Sequence, residues 1–349
     1  MAKQIGYAVV GAGPFVERAL LPAFARAGGE TRLAAIVSAD RTRAHALARE
    51  HRATGYHYDE FRQALQREDV QAVYLALPNS LHCDYRNHRR ILVVDGRVGF
   101  TGGSGVSGKW MGNGRVEHHW RDTDIRIQGP AVEYLQAAFV ESWLEATGVV
   151  LGGEPYFPRP IERSGEVYAQ VVKSSPAAGS FAMYTTFLLA VNSAQRSISI
   201  HITNPYFVID ERMRDALLAA RRRGVRVLVL VPGAIDHNIV RQASRRQFGD
   251  LLRAGIEIYE YLPALLHSKT MVIDGIWATI GSTNLDNRSF AVNDELNVIV
   301  YNRGVAQRLE SVFSDDIAHS RRVTLKEWKS RGLTARLLET LALPIRDLL

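Results

Sequence analysis

The chain has 349 residues, of which 46% are apolar and 23% charged, a balance typical of a globular protein with a large core. Its net charge of +7 suits anionic partners such as lipid headgroups or nucleic acid, and solubility alone is the alternative explanation. Cys83 is the only cysteine, which excludes an intramolecular disulfide and a cysteine-built metal site. No apolar run approaches the ~18–20 residues that span a bilayer, so we expect a cytoplasmic protein that meets lipid only at the membrane surface.

The first eighty residues alternate between strand and helix patterns. Apolar strands are predicted at residues 5–10, 32–38 and 72–77, and helices at 15–26, 41–51 and 59–67. This alternation predicts parallel βαβ units. The first strand runs into Gly11-Ala12-Gly13 at the start of a helix, a place where backbone can approach an anion.

After residue 82 the pattern changes to short strands in quick succession. Strands are predicted at 88–95, 98–101 and 125–127, followed by a helix at 130–146 and a Gly- and Pro-rich linker at 152–160. The remainder predicts a complete α/β unit. Its strands are expected at 167–172, 197–203, 225–231, 256–261, 267–274, 277–281 and 296–301, and its helices at 181–194, 211–223, 238–254 and 305–320.

An internal repeat carries the strongest functional signal. HRRILVVDG, from His88, matches HSKTMVIDG, from His267, and both continue into a strand and a glycine turn. Residues i and i+2 of a strand share a face, so His88 with Arg90, and His267 with Lys269, would present an imidazole beside a cation. Two such faces would surround a phosphate. One imidazole would attack phosphorus, the other would protonate the leaving oxygen, and the cations would hold the phosphoryl oxygens without a metal.

These residues resemble the His-x-Lys-x4-Asp (HKD) motif that the phospholipase D superfamily uses twice per chain. The motif is complete at His267, Lys269 and Asp274, whereas the first copy has arginine at position 90 between His88 and Asp95. The flanking sequence resembles bacterial cardiolipin synthases over residues 84–345, for example in the stretches HWRDTDIRIQGPAV and LHSKTMVIDGIWATIGSTNLDNRSFAVNDELN.

The resemblance implies a role for each matching residue. His88 would be the nucleophile that forms a phosphohistidine, and His267 the general acid. A carboxylate further along each repeat would orient the histidine of the other repeat, giving the pairs His88–Glu295 and His267–Asp122. The aspartates Asp95 and Asp274 belong to the catalytic motif, and the resemblance implies a structural role for them.

The phosphate site would be lined by polar residues that follow each hairpin. Ser282 and Asn284 match these positions in the second repeat, and Ser104 is the candidate in the first. Gly105 stands where Asn284 has its counterpart, so one phosphate-lining amide is missing. Together with Arg90, this predicts that the competence of the site depends on the His88 side.

Residues 1–82 resemble a different family, the Gfo/Idh/MocA oxidoreductases, in the stretches IGYAVVGAG, LLPAFARA, LAAIVSAD and VYLALPNSLH. The resemblance implies that Gly11 and Gly13 approach a pyrophosphate, and that Ser38 and Arg41 suit the 2′-phosphate of NADP at a vestigial site. The Glu-Lys-Pro segment, its catalytic lysine and the substrate domain are missing, so hydride transfer is not expected. These strands either substitute for missing strands of the first repeat or leave that repeat with an open sheet edge.

The sequence therefore predicts an α/β protein with a two-lobed phospholipase D-type mixed-sheet fold and a partial Rossmann-like segment. The expected divisions are 1–82, a first repeat at 83–160, and a complete second repeat with a helical tail at 161–349. The predicted function is phosphatidyl transfer of the cardiolipin synthase kind by a monomeric active site that requires no cofactor or metal, with phosphatidylglycerol or a similar anionic phospholipid as partner. A nuclease of the same superfamily is the first alternative, with nucleic acid as the less favoured partner, and an NADP-binding oxidoreductase fragment is the weaker one.

Overall fold

The computed structural model describes residues 5–13, 16–26, 31–75, 87–176, 179–195, 199–233 and 238–332. The chain divides into two compact units, Met1–Cys83 and Asp84–Leu349. Each unit has its own hydrophobic clusters, and each is described separately below.

The first unit is a parallel sheet with helices between its strands. The strands are β1 (Ile5–Val10), β2 (Thr31–Ser38), β3 (Thr54–His57) and β4 (Ala72–Leu75), in the order β3-β2-β1-β4. A π-helical segment, Val16–Leu20, runs into α1 (Leu21–Arg26), and α2 (Arg41–Glu50) and α3 (Phe61–Leu65) follow. This strand order is that of one half of a Rossmann fold. Strand β3 was not predicted, because Thr-Gly-Tyr-His has neither an apolar run nor alternation.

The first repeat of the second unit contains an antiparallel sheet covered by one long helix. Strands β5 (Ile91–Val94), β6 (Val98–Gly102) and β7 (Asp124–Gln128) pair in the order β5-β6-β7, and α4 (Val132–Thr147) follows them. Leu135 of α4 lies so close to Gly99 that a Cβ on this glycine would be 2.5 Å from Leu135 Cδ1. Among the described strands, none of β1–β4 joins this sheet. Within the described residues, the N-terminal strands form a sheet of their own.

The second repeat is built on a mixed sheet of eight described strands. They are β8 (Tyr168–Ser174), β9 (Ser199–Thr203), β10 (Arg226–Pro232), β11 (Glu257–Tyr261), β12 (Thr270–Ile273), β13 (Trp277–Gly281), β14 (Glu295–Tyr301) and β15 (Ser320–Val323), in the order β15-β11-β10-β9-β12-β13-β14-β8. Strands β9, β10 and β11 are parallel and the other pairings are antiparallel. The helices are α5 (Ala182–Ser193), α6 (Glu211–Arg222), α7 (Asn238–Arg253), α8 (Asn287–Ala291), α9 (Arg303–Ala318) and α10 (Leu325–Lys329).

The two repeats share a core. Val132 and Leu135 of α4 pack in one cluster with Leu296 and Val298 of β14. Apolar side chains from both repeats are thus removed from water together, which fixes the first repeat against the second.

The predicted strands at 88–95 and 267–274 are too long at their N-terminal ends. The observed strands begin at Ile91 and Thr270, so both motif histidines precede their strand. The reason lies in the backbone hydrogen bonds: the N–H groups of His88 and His267 donate to carbonyl oxygens of the other repeat rather than to a neighbouring strand of their own sheet.

The C-terminal segment packs on the body of the second unit as far as it is described. Trp328 of α10 lies against Gly249, and its indole N–H donates to the carbonyl oxygen of Arg245 at 3.0 Å. The segment 333–349 lies outside the described residues. Within the described part of the chain, every helix is too short or too polar to cross a membrane.

Candidate active site

His88 is held through both its backbone and its ring. Its backbone N–H donates to the carbonyl oxygen of Asp294 at 2.9 Å. Its Nδ1 lies 2.9 and 3.0 Å from the two carboxylate oxygens of Glu295, which is fully buried at the start of β14. The His88 side chain itself is 19% exposed.

His267 is held in the same way by the other repeat. Its backbone N–H donates to the carbonyl oxygen of Arg121 at 2.7 Å, and its Nδ1 lies 2.7 Å from Oδ2 of Asp122. Both side chains of this pair are buried, with exposures of 7% and 2%. The structure thus brings together the two histidine–carboxylate pairs that the resemblance implies, and each pair joins the two repeats.

The pairs fix which ring nitrogen is available for chemistry. An ionised carboxylate only accepts hydrogen bonds, so Nδ1 of each imidazole carries the hydrogen and Nε2 keeps its lone pair. This is the arrangement that nucleophilic and acid–base catalysis by histidine requires.

Lys269 stands beside His267 as the i, i+2 spacing predicts. Its Nζ lies 2.8 Å from Nδ1 and 2.9 Å from Nε2 of His267, and because Nδ1 donates to Asp122, only Nε2 can accept from the ammonium. The lysine is 2% exposed. Its pKa is lowered to about 8, mainly by burial and also by the charge of Arg90, while the charge of Asp122 opposes the shift.

Arg90 supplies the second cation. Its charge acts on Lys269, which places the two cations of the repeated motif in one electrostatic environment. Its Nε is buried and has no hydrogen-bond partner within the protein. A buried guanidinium nitrogen without an acceptor is a donor suited to an anionic oxygen.

The pKa values of both groups in the buried His267–Asp122 pair are lowered. The pKa of His267 is lowered to about 4 by burial and by the charge of Lys269, and the hydrogen bond to Asp122 opposes both effects. Burial raises the pKa of Asp122, but the hydrogen bond with His267 and the charge of Lys269 outweigh this and leave it below its usual value. His267 is therefore neutral and Asp122 ionised at neutral pH in the free protein.

The motif aspartates lie at the far ends of the hairpins from the histidines. Asp95 and Asp274 have positive φ angles of 53° and 57°, and each is followed by a glycine with positive φ. Asp274 also accepts the backbone N–H of Gln195 at 3.0 Å. The structure therefore places both aspartates in turns, in keeping with the structural role that the resemblance implies.

The three residues predicted to line the phosphate differ in their surroundings. Ser282 donates its hydroxyl to Oε2 of Glu295 at 2.5 Å. Asn284 is 5% exposed and its Oδ1 has no hydrogen-bond partner within the protein. Ser104 donates its hydroxyl to Asp124, so the structure gives it a partner on β7. Their contact with phosphate stays a prediction.

In the first unit, the residues predicted for a nucleotide lie at the ends of β1 and β2. Gly11 has a φ of 108° and donates its N–H to Val37, whereas a Cβ at Gly13 would meet nothing within 4 Å. Ser38 accepts the N–H of Asp40 at 3.2 Å, and Arg41 forms an ion pair with Glu60 at 3.0 Å. Of the two glycines predicted for the nucleotide site, Gly11 is therefore the one whose backbone conformation favours glycine.

Sequence reasoning missed two tryptophans next to His267. The rings of Trp110 and Trp120 lie 5.6 and 5.2 Å from its imidazole, centroid to centroid, and the indole N–H of Trp110 donates to Oδ2 of Asp122 at 2.9 Å. A length difference was the one available signal: nineteen positions separate Gly103 from Asp122, but thirteen separate Ser282 from Glu295. Among the described residues, no group of His, Cys, Asp and Glu side chains is arranged to hold a metal ion.

The fold and the duplicated motif define a phospholipase D-like domain, and family models agree. Residues 188–317 match the model described as cardiolipin synthase, PLD-like domain, and residues 5–88 match that of the Gfo/Idh/MocA oxidoreductase family, NAD-binding Rossmann fold. Both resemblances drawn from the sequence are confirmed. Residues 188–317 are thus similar to a phospholipase D-like domain, and residues 5–88 to a Rossmann-type domain.

The chain is similar in sequence to bacterial cardiolipin synthases. The chain is 37% identical over 262 residues to cardiolipin synthase 2 of Staphylococcus epidermidis, covering 74% of this chain and 53% of that protein. It is 34% identical over 291 residues to the major cardiolipin synthase ClsA of Bacillus subtilis, covering 82% and 59%. The chain thus spans about half the length of the curated relatives it matches.

A solved structure supports the fold. The phosphatidylserine synthase of Haemophilus influenzae superposes with a TM-score of 0.59 at 14% sequence identity, covering 92% of this chain and 83% of that chain. At this identity the likeness concerns the fold alone, which is the predicted mixed α/β fold.

Proposed function

We propose that the protein is a phosphatidyltransferase of the cardiolipin synthase kind, acting through a phosphohistidine. The observation that carries this proposal is the pair of crossed histidine–carboxylate contacts, His88 with Glu295 and His267 with Asp122. Two imidazoles with their Nδ1 groups held by carboxylates, accompanied by two cations, match what phosphodiester exchange requires. The relatives at 34–37% identity are cardiolipin synthases, which supports a phospholipid substrate.

In the first step, Nε2 of His88 attacks the phosphorus of a phospholipid such as phosphatidylglycerol. A P–N bond forms, the bond from phosphorus to the headgroup oxygen breaks, and protonated His267 donates its proton to that oxygen. Arg90 and Lys269 hold the non-bridging oxygens, where negative charge is concentrated. Headgroup alcohol leaves and a phosphatidyl-histidine remains.

In the second step, neutral His267 takes the proton from the hydroxyl of a second phosphatidylglycerol. The alkoxide attacks phosphorus, the P–N bond breaks, and His88 is restored. Water in place of the alcohol gives phosphatidic acid as a side product. The negative phosphodiester opposes the charge of Lys269 and so raises the pKa of His267, which supplies the protonated form that the first step needs.

The experiment is a direct comparison of substrates. The purified chain is incubated with phosphatidylglycerol vesicles and, separately, with a labelled single-stranded oligonucleotide, both in EDTA. We expect one glycerol released for each cardiolipin formed and an intact oligonucleotide. Cleavage of the oligonucleotide without lipid turnover would make the protein a nuclease of the same superfamily instead.

Contact with a membrane belongs to the same proposal. The substrate is an anionic amphiphile and the chain carries a net charge of +7, so we propose peripheral association with anionic membrane surfaces from the cytoplasmic side by a monomeric active site. Co-sedimentation with phosphatidylglycerol vesicles, but not with phosphatidylcholine vesicles, is the expected result at low salt.

For the first unit we propose a separate nucleotide site of the NADP type. Its support is the parallel sheet order and the positive φ of Gly11 directly after β1. Arg41 would have to exchange Glu60 for the 2′-phosphate. Titration with NADPH, followed by its fluorescence, tests the proposal. No response up to millimolar concentrations would leave the unit as a scaffold.

A further inference from the structure

The two catalytic carboxylates are held by different donors. Glu295 accepts a hydrogen bond from Ser282 Oγ at 2.5 Å, within the second repeat. The equivalent of Ser282 in the first repeat is Gly103, which has no side chain. A Cβ at Gly103 would lie 2.2 Å from Oδ1 of Asp122, so even the first carbon of a serine would not fit.

The equivalence of these positions is supported by the next pair in each repeat. Thr283 donates its hydroxyl to Oδ1 of Asn297 at 2.7 Å, and its N–H donates to the same oxygen at 3.2 Å. Ser104 donates its hydroxyl and its N–H to Asp124 in the same manner. The repeats therefore correspond residue by residue here, and the difference is confined to the donor for the catalytic carboxylate.

Trp110 takes the place of the missing serine. Its indole N–H donates to Oδ2 of Asp122 at 2.9 Å, and this oxygen also accepts from Nδ1 of His267 at 2.7 Å. Trp110 lies on the longer loop of the first repeat, in a short 3-10 helix at Gly108–Trp110 whose N-terminus is capped by Ser107. The extra length of this loop thus delivers a donor that the second repeat obtains from its hairpin.

The indole also shields His267 from water. The Trp110 ring meets the imidazole edge to face at 79°, and the Trp120 ring is tilted against the imidazole at 37°. Nζ of Lys109 lies over the Trp120 ring, 4.8 Å from its centroid. His267 is 7% exposed, whereas His88, which has no such neighbour among the described ring contacts, is 19% exposed. The loop of the first repeat therefore makes the His267 side chain less exposed to water than the His88 side chain.

We propose that Trp110 is a positioning residue that holds Asp122 ionised and shields His267, thereby assigning His267 the acid–base role. An indole N–H donates and cannot accept, so it favours the carboxylate over the protonated acid. The shared oxygen fixes the direction of the Asp122–His267 hydrogen bond, and the ring excludes water from the imidazole. This inference rests on the proposed phosphatidyl transfer, because that reaction defines the acid–base role of His267.

The test separates the hydrogen bond from the shape of the ring. Trp110→Phe removes the N–H and part of the ring, and replacement of the indole by benzothiophene removes only the N–H while keeping the size. Met111→Ala, at an exposed neighbour, is the control and leaves activity unchanged. We expect kcat for cardiolipin formation to fall about ten- to hundredfold in both Trp110 variants.

The second measurement follows the ring resonances of each histidine by NMR as pH is varied, without substrate. Without the N–H, Oδ2 of Asp122 is more available to His267, and the smaller phenyl ring admits water. Both changes raise the pKa of His267, so its titration midpoint should rise in Trp110→Phe and that of His88 should not move. The benzothiophene variant should show a smaller rise, since only the first change operates.

Two outcomes would overturn the proposal. One is loss of activity with an unchanged His267 titration, and the other is an equal shift of both histidines, which would indicate general loosening of the loop. A shift of His267 alone in a protein whose wild type turns over no phospholipid would refute the proposed function and leave the positioning role of Trp110 standing. If Trp110→Phe fails to fold, the size-matched benzothiophene variant still decides the question.

Discussion

His267 and Arg121 are joined through their backbones: the N–H of His267 donates to the carbonyl oxygen of Arg121 at 2.7 Å. Arg121 directly precedes Asp122, so this bond sets the distance between the imidazole and its carboxylate. The same relation links His88 to Asp294, the residue before Glu295, at 2.9 Å. The side chain of Arg121 is in turn paired with Asp316 of α9 at 2.8 Å, which anchors the arrangement to a helix.

Loss of either motif imidazole should abolish turnover. We expect His88→Ala and His267→Ala each to lower kcat/KM for cardiolipin formation by about three orders of magnitude or more, since each proposed step needs both rings. His118→Ala, at an exposed histidine of the long loop, is the matched control and should retain activity. Substantial turnover by either motif variant, with a normal circular dichroism spectrum, would contradict the mechanism.

The carboxylate behind His88 should matter through its charge rather than its size. In Glu295→Gln an amide can present its NH2 group to Nδ1, which leaves the hydrogen on Nε2 and removes the nucleophilic lone pair. We expect kcat to fall by about two to four orders of magnitude. Glu145→Gln, on the exposed face of α4, serves as control. Equal activity of the two variants would show that Glu295 does not select the tautomer.

The activity should decline at alkaline pH because Lys269 loses its proton. Its pKa lies at about 8, below the ordinary value, so the ammonium is charged below pH 8 and neutral above it. We expect kcat/KM to fall between pH 8 and 10. In Lys269→Arg, whatever its absolute rate, this fall should be absent, since a guanidinium stays charged throughout. Lys173→Arg, at an exposed lysine, should keep the wild-type profile.

A methyl group at Gly103 should damage the Asp122 side of the site. In Gly103→Ala the new Cβ would lie 2.2 Å from Asp122 Oδ1, so the carboxylate must move away from His267. A displacement of this size is expected to lower kcat about a hundredfold. Gly108→Ala, where a Cβ meets nothing within 4 Å, tests the same loop without the clash. Comparable rates for the two variants would mean that Asp122 can shift without consequence.

His201 should make the fold sensitive to acid. Its ring is stacked on Phe313 at 4.9 Å, and burial lowers its pKa to about 4. Between pH 6.5 and 4 the unfolded chain binds a proton at this residue that the folded protein does not, so the free energy of unfolding falls as pH falls through this window, by at most about 1.4 kcal/mol per pH unit. In His201→Phe this contribution disappears. Urea unfolding at pH 7, 5.5 and 4.5 measures it, and parallel curves for variant and wild type would contradict the assignment.

The fold class, most helices and strands, and the motif residues could be predicted from the sequence, because hydrophobic periodicity and a repeated motif are local properties of the sequence. The i, i+2 spacing correctly placed Lys269 beside His267, although the observed strand begins only at Thr270. The donor to Asp122 was not predictable in this way. Trp110 reaches the carboxylate across an irregular loop, and no spacing rule relates the two residues. The short polar strand β3 was missed for a related reason: its pairing with β2, not its own pattern, makes it a strand.

The crossed pairing of the repeats has a consequence for how this duplicated gene segment can change over evolutionary time. Each copy holds the imidazole of one pair and the carboxylate of the other, so damage to either copy disables both pairs at once. Neither copy is a spare that selection can release, in contrast to the usual fate of a duplicate. The two copies do differ in the donor to the carboxylate, which is Ser282 in one copy and Trp110 in the other, and in both cases the donor belongs to the same copy as the carboxylate.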